Sequence, residues 1–148
     1  MDTESVARLR GVIGRMAREL NATSTAEGLT PTQASVLGVV CARGPLGLAE
    51  LTDLEGLNPT MLSRIVGKLD ELRLITRRPD PADLRAVLVE ATPTGMEMHE
   101  RIRDLRTAAL VDCLDRLSEA TIKRLVAALP ALEQLTAELR SSGAPSHR

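Results

Sequence analysis

The chain has no phenylalanine, tyrosine or tryptophan among its 148 residues. Its core must be filled by Leu, Val, Ile, Ala and Met, and no ring can stack on an unpaired base or grip a flat ligand. That argues against a reader of single-stranded nucleic acid, which uses aromatic platforms. His99 and His147 are the only histidines, Cys41 and Cys113 the only cysteines. No Cys-x-x-Cys spacing occurs, so no structural metal is expected. Both cysteines lie in apolar runs and read as small core residues; His99, beside Glu100 and Arg101, reads as a surface residue.

Other absences exclude whole classes. There is no Gly-x-Ser-x-Gly, no phosphate-cradling loop and no paired His/carboxylate helix motif. Two histidines leave little for general-base work near neutral pH. Neither an enzyme nor a cofactor is expected. No run approaches the roughly 18 apolar residues of a bilayer span. The opening "MDTESVARLRGVIGRM" has acids and no long apolar centre, so no signal peptide is expected. The expected location is the cytoplasm, with thiols reduced and no membrane partner.

What is present is an ordinary globular composition, 43% apolar and 26% charged, enough for one domain. Net charge is −1, so the molecule as a whole is not a basic polyanion binder. Between residues 58 and 85, however, six Lys/Arg stand against four Asp/Glu; of the segments 1–57, 58–85 and 86–148, only this one is net positive.

Proline-marked caps divide the chain. "LTPTQ" offers Thr30 as N-cap, Pro31 at the first helical position and Gln33 to close a capping box. Asn58-Pro59 and Thr92-Pro93 repeat the cap-then-proline pair, and Ser118 is a further cap. Apolar spacing then predicts helices over Ser5–Asn21, Pro31–Arg43, Leu48–Glu55 and Pro59–Arg73. The last of these turns Leu62, Ile65, Val66, Leu69 and Leu72 inward. "LITRRPDPADLRAVLVEAT" reads as a two-strand hairpin with a proline-braced loop. From Pro93 a long helix carries Met96, Ile102, Leu105, Leu110, Leu114 and Leu117. A final one carries a near-heptad stripe, with Pro130 expected to kink it or cost one backbone bond. These outer helices have wider apolar faces than the centre can cover, and a second copy of the chain is the simplest cover.

Helix, helix, turn, helix, hairpin is the winged helix-turn-helix order, which lays its second motif helix in the DNA major groove. Opposite the apolar face of residues 59–73 lie Thr60, Met61, Ser63, Arg64, Gly67 and Lys68. Small polar residues near the N-terminal end permit close approach, and the helix dipole favours phosphate there. Arg64 suits a bidentate bond to guanine or a phosphate contact; Lys68 suits backbone charge.

At "LTPTQASVL", "PTMLSRIVGKLDELRLITR" and "DLRAVLVEATPTG" the chain resembles the MarR-type (multiple-antibiotic-resistance regulator) family over nearly all of residues 5–140. The resemblance implies a homodimeric transcription regulator, most often a repressor released by small molecules or oxidants. By position, Thr60, Met61, Ser63 and Arg64 match groove-facing residues and Lys68 a backbone contact. Asp83 and Arg85 match an acidic–x–arginine wing signature whose arginine reaches the minor groove or is braced by the acid. Leu84 departs from the basic residue many members carry between them. Arg77 and Arg78 are expected at phosphate or solvent. The family's oxidant-sensing branch uses a cysteine near the start of the chain; none stands there. An effector crevice is expected near Arg15, Met16, Leu20 and Leu37.

The expected fold is therefore mainly α. It is one domain, 1–148, whose winged helix-turn-helix (30–92) has a two-stranded β wing. N- and C-terminal dimerisation helices (5–21 and 93–140) flank it, and 141–148 form a flexible tail. Expected partners are double-stranded DNA with a pseudo-palindromic operator, a second copy of the chain and a small-molecule effector. Two alternatives stay open: a winged module used only for protein–protein assembly, and a DNA binder without an effector.

Overall fold

A computed structural model of the chain describes residues 1–143. It falls into two compact units, Met1–Ala108 and Ala109 onward. The order of elements is α1 (Thr3–Ala26), α2 (Pro31–Arg43), β1 (Leu46–Gly47), α3 (Leu48–Glu55), α4 (Pro59–Glu71), β2 (Ile75–Pro79), β3 (Val87–Ala91), α5 (Pro93–Leu114) and α6 (Glu119–Gly143). The fold is mainly helical, with the expected helix-turn-helix and wing. Among the described residues no helix is long and apolar enough to cross a membrane.

Local chemistry fixes most boundaries. Asp2 caps α1, accepting from the Ser5 N–H at 2.7 Å. Thr30 and Gln33 form the anticipated reciprocal box at α2. Two expectations about α1 need correction. It begins at Thr3 and runs five residues past Asn21, through a polar stretch whose hydroxyls turn back on the helix. Thr23 Oγ1 donates to the Leu20 carbonyl and Ser24 Oγ to that of Asn21, each at 2.7 Å. That back-bonding lets Ser24 be fully buried inside a helix despite its polarity. Gly28, at φ 85°, then ends the run.

The wing is also larger than expected. It is a three-stranded antiparallel sheet in the order β1-β3-β2, not a two-stranded hairpin. Leu46 pairs with Val89 and Gly47 with Leu88, while Ile75 to Pro79 pair with Ala91 to Val87. A two-residue strand carries no periodicity to read, yet it covers one edge of β3 and relieves the marginality of a lone hairpin.

The core of the first unit is entirely aliphatic. Val36, Leu37 and Val40 of α2, Leu51 of α3, and Leu62, Ile65, Val66 and Leu69 of α4 meet Leu74 just before β2, Ile75 and Val89 of the sheet and Ile102 of α5. Leu72, expected inward, is the C-cap of α4 and remains 41% exposed. Leu69 is already the last core position, and the chain reverses at Arg73, which adopts φ 60°.

In the second unit, Leu117 lies past the end of α5, and Ser118 caps α6 by accepting from the Thr121 N–H at 3.3 Å. Helix α6 runs unbroken through Pro130. It includes residues 141–143 of the anticipated tail; residues 144–148 lie outside the described residues. Cys113 is exposed, not a core residue. Several helices leave apolar side chains uncovered: Val6, Val12, Ile13 and Met16 on α1, Leu105, Leu110 and Val111 on α5, and Leu125, Val126, Leu129, Leu132 and Leu139 on α6.

His99 is not a plain surface residue. Its ring packs against α2 at Gly38, where an added Cβ would sit 3.1 Å from Cε1. Burial first, then the charges of Arg103 and Arg106, push its pKa below the usual 6.5, with Glu100 opposing. Because the folded pKa is depressed, the unfolded chain binds the proton more readily. This contribution to stability is therefore complete above 6.5 and declines as pH falls through it. Urea midpoints should be lower at pH 5.5 than at pH 7.5, and His99→Gln should shrink that difference. An undiminished difference in the variant would assign the acid sensitivity elsewhere.

Candidate nucleic-acid interface

The reading face is built from the N-terminus of α4 upward. Asn58 caps the helix, its Oδ1 accepting from the Met61 N–H at 2.8 Å, and Pro59 occupies the first turn, where its missing donor costs nothing. Leu62, Ile65, Val66 and Leu69 are buried to 8% exposure or less. With that side anchored, Thr60, Met61, Ser63, Arg64 and Lys68 are all exposed. Gly67 stands among them with nothing within 4 Å of a Cβ built on it, so the exposed side of the helix is open there.

The cations of the module divide into held and free. Arg77 donates through both Nε and Nη2 to Asp70 Oδ2, at 3.1 and 2.9 Å. Arg78 Nε lies 3.4 Å from Glu90 Oε2, and Lys68 Nζ 3.7 Å from Glu71 Oε2. Among the described residues, Arg43, Arg64, Arg73 and Arg85 have no carboxylate within 4 Å.

The wing tip is organised by its acids through the backbone. Asp80 Oδ1 accepts from the Ala82 N–H at 2.9 Å, and Asp83 Oδ1 from the Arg85 N–H at 3.0 Å. Asp83 therefore braces the peptide of Arg85, not its guanidinium, which is left exposed. Leu84 sits between them, 82% exposed.

Sequence reasoning missed Asp70 and Glu90 as partners. Asp70 meets Arg77 only because the chain reverses at Arg73, and Glu90 meets Arg78 only through the register in which Arg78 opposes Leu88. Neither pairing has a spacing to reveal it.

The four effector positions are not brought together as a pocket. Arg15 and Met16 are exposed, Leu20 is half-buried, and Leu37 is sealed in the core at 0% exposure, so it lines no crevice. An open depression of about 340 Å³ lies instead between α3 and α4, lined by residues including Leu48, Thr52, Asp53, Leu62 and Ser63. Cys41 is half-buried, and burial, then the charge of Glu100, pushes its thiol pKa up, away from reactive thiolate.

Residues 27–86, from the end of α1 to the wing tip, match the profile of the MarR family. Over that segment the chain is similar to the MarR family. Its relatives are transcriptional regulators, not enzymes. An uncharacterised helix-turn-helix-type transcriptional regulator of Mycobacterium leprae is 26% identical over 117 residues, covering 79% of this chain and 82% of that protein. The Rv1404 structure from Mycobacterium tuberculosis superposes with a TM-score of 0.77 at 26% identity, covering 90% and 94% of the two chains. The same fold occurs in a Staphylococcus aureus MepR mutant bound to an oligodeoxyribonucleotide, at TM-score 0.68 and 19% identity over 92% of this chain and 99% of that one.

Asn58 is the polar group that starts α4. Its replacement by Ala should lower stability by about 1 kcal/mol, seen as a fall of roughly 3 °C in melting temperature. A melting curve identical to wild type would mean that another group takes up the Met61 N–H.

Proposed function

We propose that the chain is a homodimeric repressor that reads duplex DNA through α4 and responds to a small molecule. The observation that carries the DNA reading is the division of α4 into a sealed aliphatic side and an exposed side of Thr60, Met61, Ser63, Arg64 and Lys68. Arg64 faces outward without an acidic partner among the described residues, so its planar fork is available to guanine O6 and N7. Ser63 and Thr60 supply hydrogen bonds nearer the helix start, and Lys68 neutralises phosphate once Glu71 is displaced from a long, exposed ion pair. Arg85, on a backbone-braced loop, supplies the wing's minor-groove contact, with Arg78 behind it, while Arg77 is held by Asp70. The MepR mutant's complex with an oligodeoxyribonucleotide, in the same fold, supports this reading.

Dimerisation is supported by the apolar rows left uncovered on α1, α5 and α6. A two-fold axis would set two copies of α4 about one helical turn apart, on a pseudo-palindromic site. Occupancy of a promoter by such a dimer blocks transcription, the simplest regulatory outcome. A location in the cytoplasm, where the DNA would be, is part of the same reading. The competing use, protein assembly through the wing, draws on exposed Leu84.

Footprinting on the DNA flanking the protein's own gene separates the two uses. Protection of two half-sites, weakening steeply with added salt, is the expected result. Arg64→Ala should weaken binding at that site by about 1–3 kcal/mol. No protection, or unchanged affinity in the variant, would remove α4 from the interface.

A further inference from the structure

Glu71 apart, the carboxylates that hold the module's cations have no place in the DNA reading above, and the strongest of these pairings crosses the joint between recognition helix and wing. Asp70 stands one residue before the end of α4, Arg77 at the centre of β2. Arg77 shares the sheet face of Ile75 and Val89, whose side chains are buried, so its stem turns toward the helices. There two of its N–H groups converge on one oxygen, Asp70 Oδ2. The two side chains are 46% and 37% exposed, so the pair sits at the rim of the core, less screened than the Lys68–Glu71 pair at 51% and 72%. A phosphate would have to take Arg77 from a charge-assisted, doubly donated bond.

We infer that Asp70 is a positioning residue that acts through Arg77: it keeps this cation off duplex phosphate and so sets how strongly the module binds DNA irrespective of sequence. Sequence-independent affinity arises almost wholly from phosphate neutralisation, one counterion-release step for each cation engaged. A chain with few free cations on its reading surface is sensitive to each one added. Holding Arg77 lowers retention on random DNA while Arg64, which has no such partner, stays available to bases. The inference rests on the DNA-binding reading, and its test needs no operator.

The test uses a fluorescent 30-base-pair duplex of random sequence, titrated with the full chain between 50 and 200 mM salt. The salt slope of Asp70→Asn should steepen by about 0.9 for each Arg77 released; with one Arg77 engaged per duplex, binding about tenfold tighter than wild type at 50 mM falls to about threefold at 200 mM. Arg77→Ala alone should stay close to wild type. In the double variant the gain should vanish, which separates action through Arg77 from simple loss of a negative charge. Asp70→Asn binding no more tightly than wild type would overturn the inference, as would a gain that persists without Arg77. Salt-sensitive binding by wild type would in either case leave the DNA reading standing; no binding by wild type at 50 mM would overturn both.

Discussion

Burial of one side of α4 is the constraint on which the rest depends. Leu62, Ile65, Val66 and Leu69 are each sealed against α2, α3 and the sheet in a core without a single aromatic ring. At roughly 1.5–3 kcal/mol for each buried aliphatic side chain, these four fix the rotation of the helix about its axis. A helix advances 100° per residue, so a slip of one position would swing Arg64 toward the core and bring an aliphatic residue out. No hydrogen bond on the exposed side is needed to aim Arg64; packing behind it does so. The same logic accounts for an all-aliphatic interior. Leu, Ile and Val fill a small three-layer contact without a polar edge that would need a partner.

From that anchored helix the structure passes to the wing and to α5 through one tight knot. Arg73 takes the left-handed conformation, and its carbonyl accepts from Thr92 Oγ1 at 2.6 Å. The same hydroxyl oxygen accepts from the Gly95 N–H at 3.0 Å, while the Thr92 N–H donates to the Leu74 carbonyl at 3.1 Å. Thr92 thus ties the end of α4, the root of the wing and the first turn of α5 together. Gly95 is required by closeness, not by its dihedral angles: a Cβ there would collide with the Leu74 backbone. A rotation of α5 against the wing must break this knot or carry α4 with it. Any signal that moves α5 therefore has a stiff route to the reading helix.

The helices were legible because their signals are local. Thr30-Pro31, Asn58-Pro59 and Thr92-Pro93 announce α2, α4 and α5 through cap chemistry that acts within one turn, and the aliphatic spacing of α4 declares both of its sides. The exposed side followed by subtraction, which is why Thr60, Met61, Ser63, Arg64 and Lys68 could be named from sequence. What failed was whatever depends on distant pairing. Strand β1 is defined only by Val89 and Leu88 lying beside it. The extension of α1 rests on Thr23 and Ser24 donating to carbonyls a turn back, in a segment whose composition disfavours helix. Leu37 was assigned to a crevice because spacing tells that a residue faces inward but not whether a space lies there.

Charge shows the same division between what spacing can and cannot disclose. A net charge of −1 is no obstacle to polyanion binding, because counterions screen over about 8–10 Å and only the field near the surface matters. Counting cations between residues 58 and 85 nevertheless overstates that field. Lys68, Arg77 and Arg78 each carry an acid with them, and two of those acids, Asp70 and Glu71, lie on the recognition helix itself. Arg64 on the helix, Arg73 at the turn and Arg85 on the wing have no such acid among the described residues. Half of the segment's six cations thus carry their own neutralising acid, so internal ion pairing thins a patch that counting alone would read as uniformly basic.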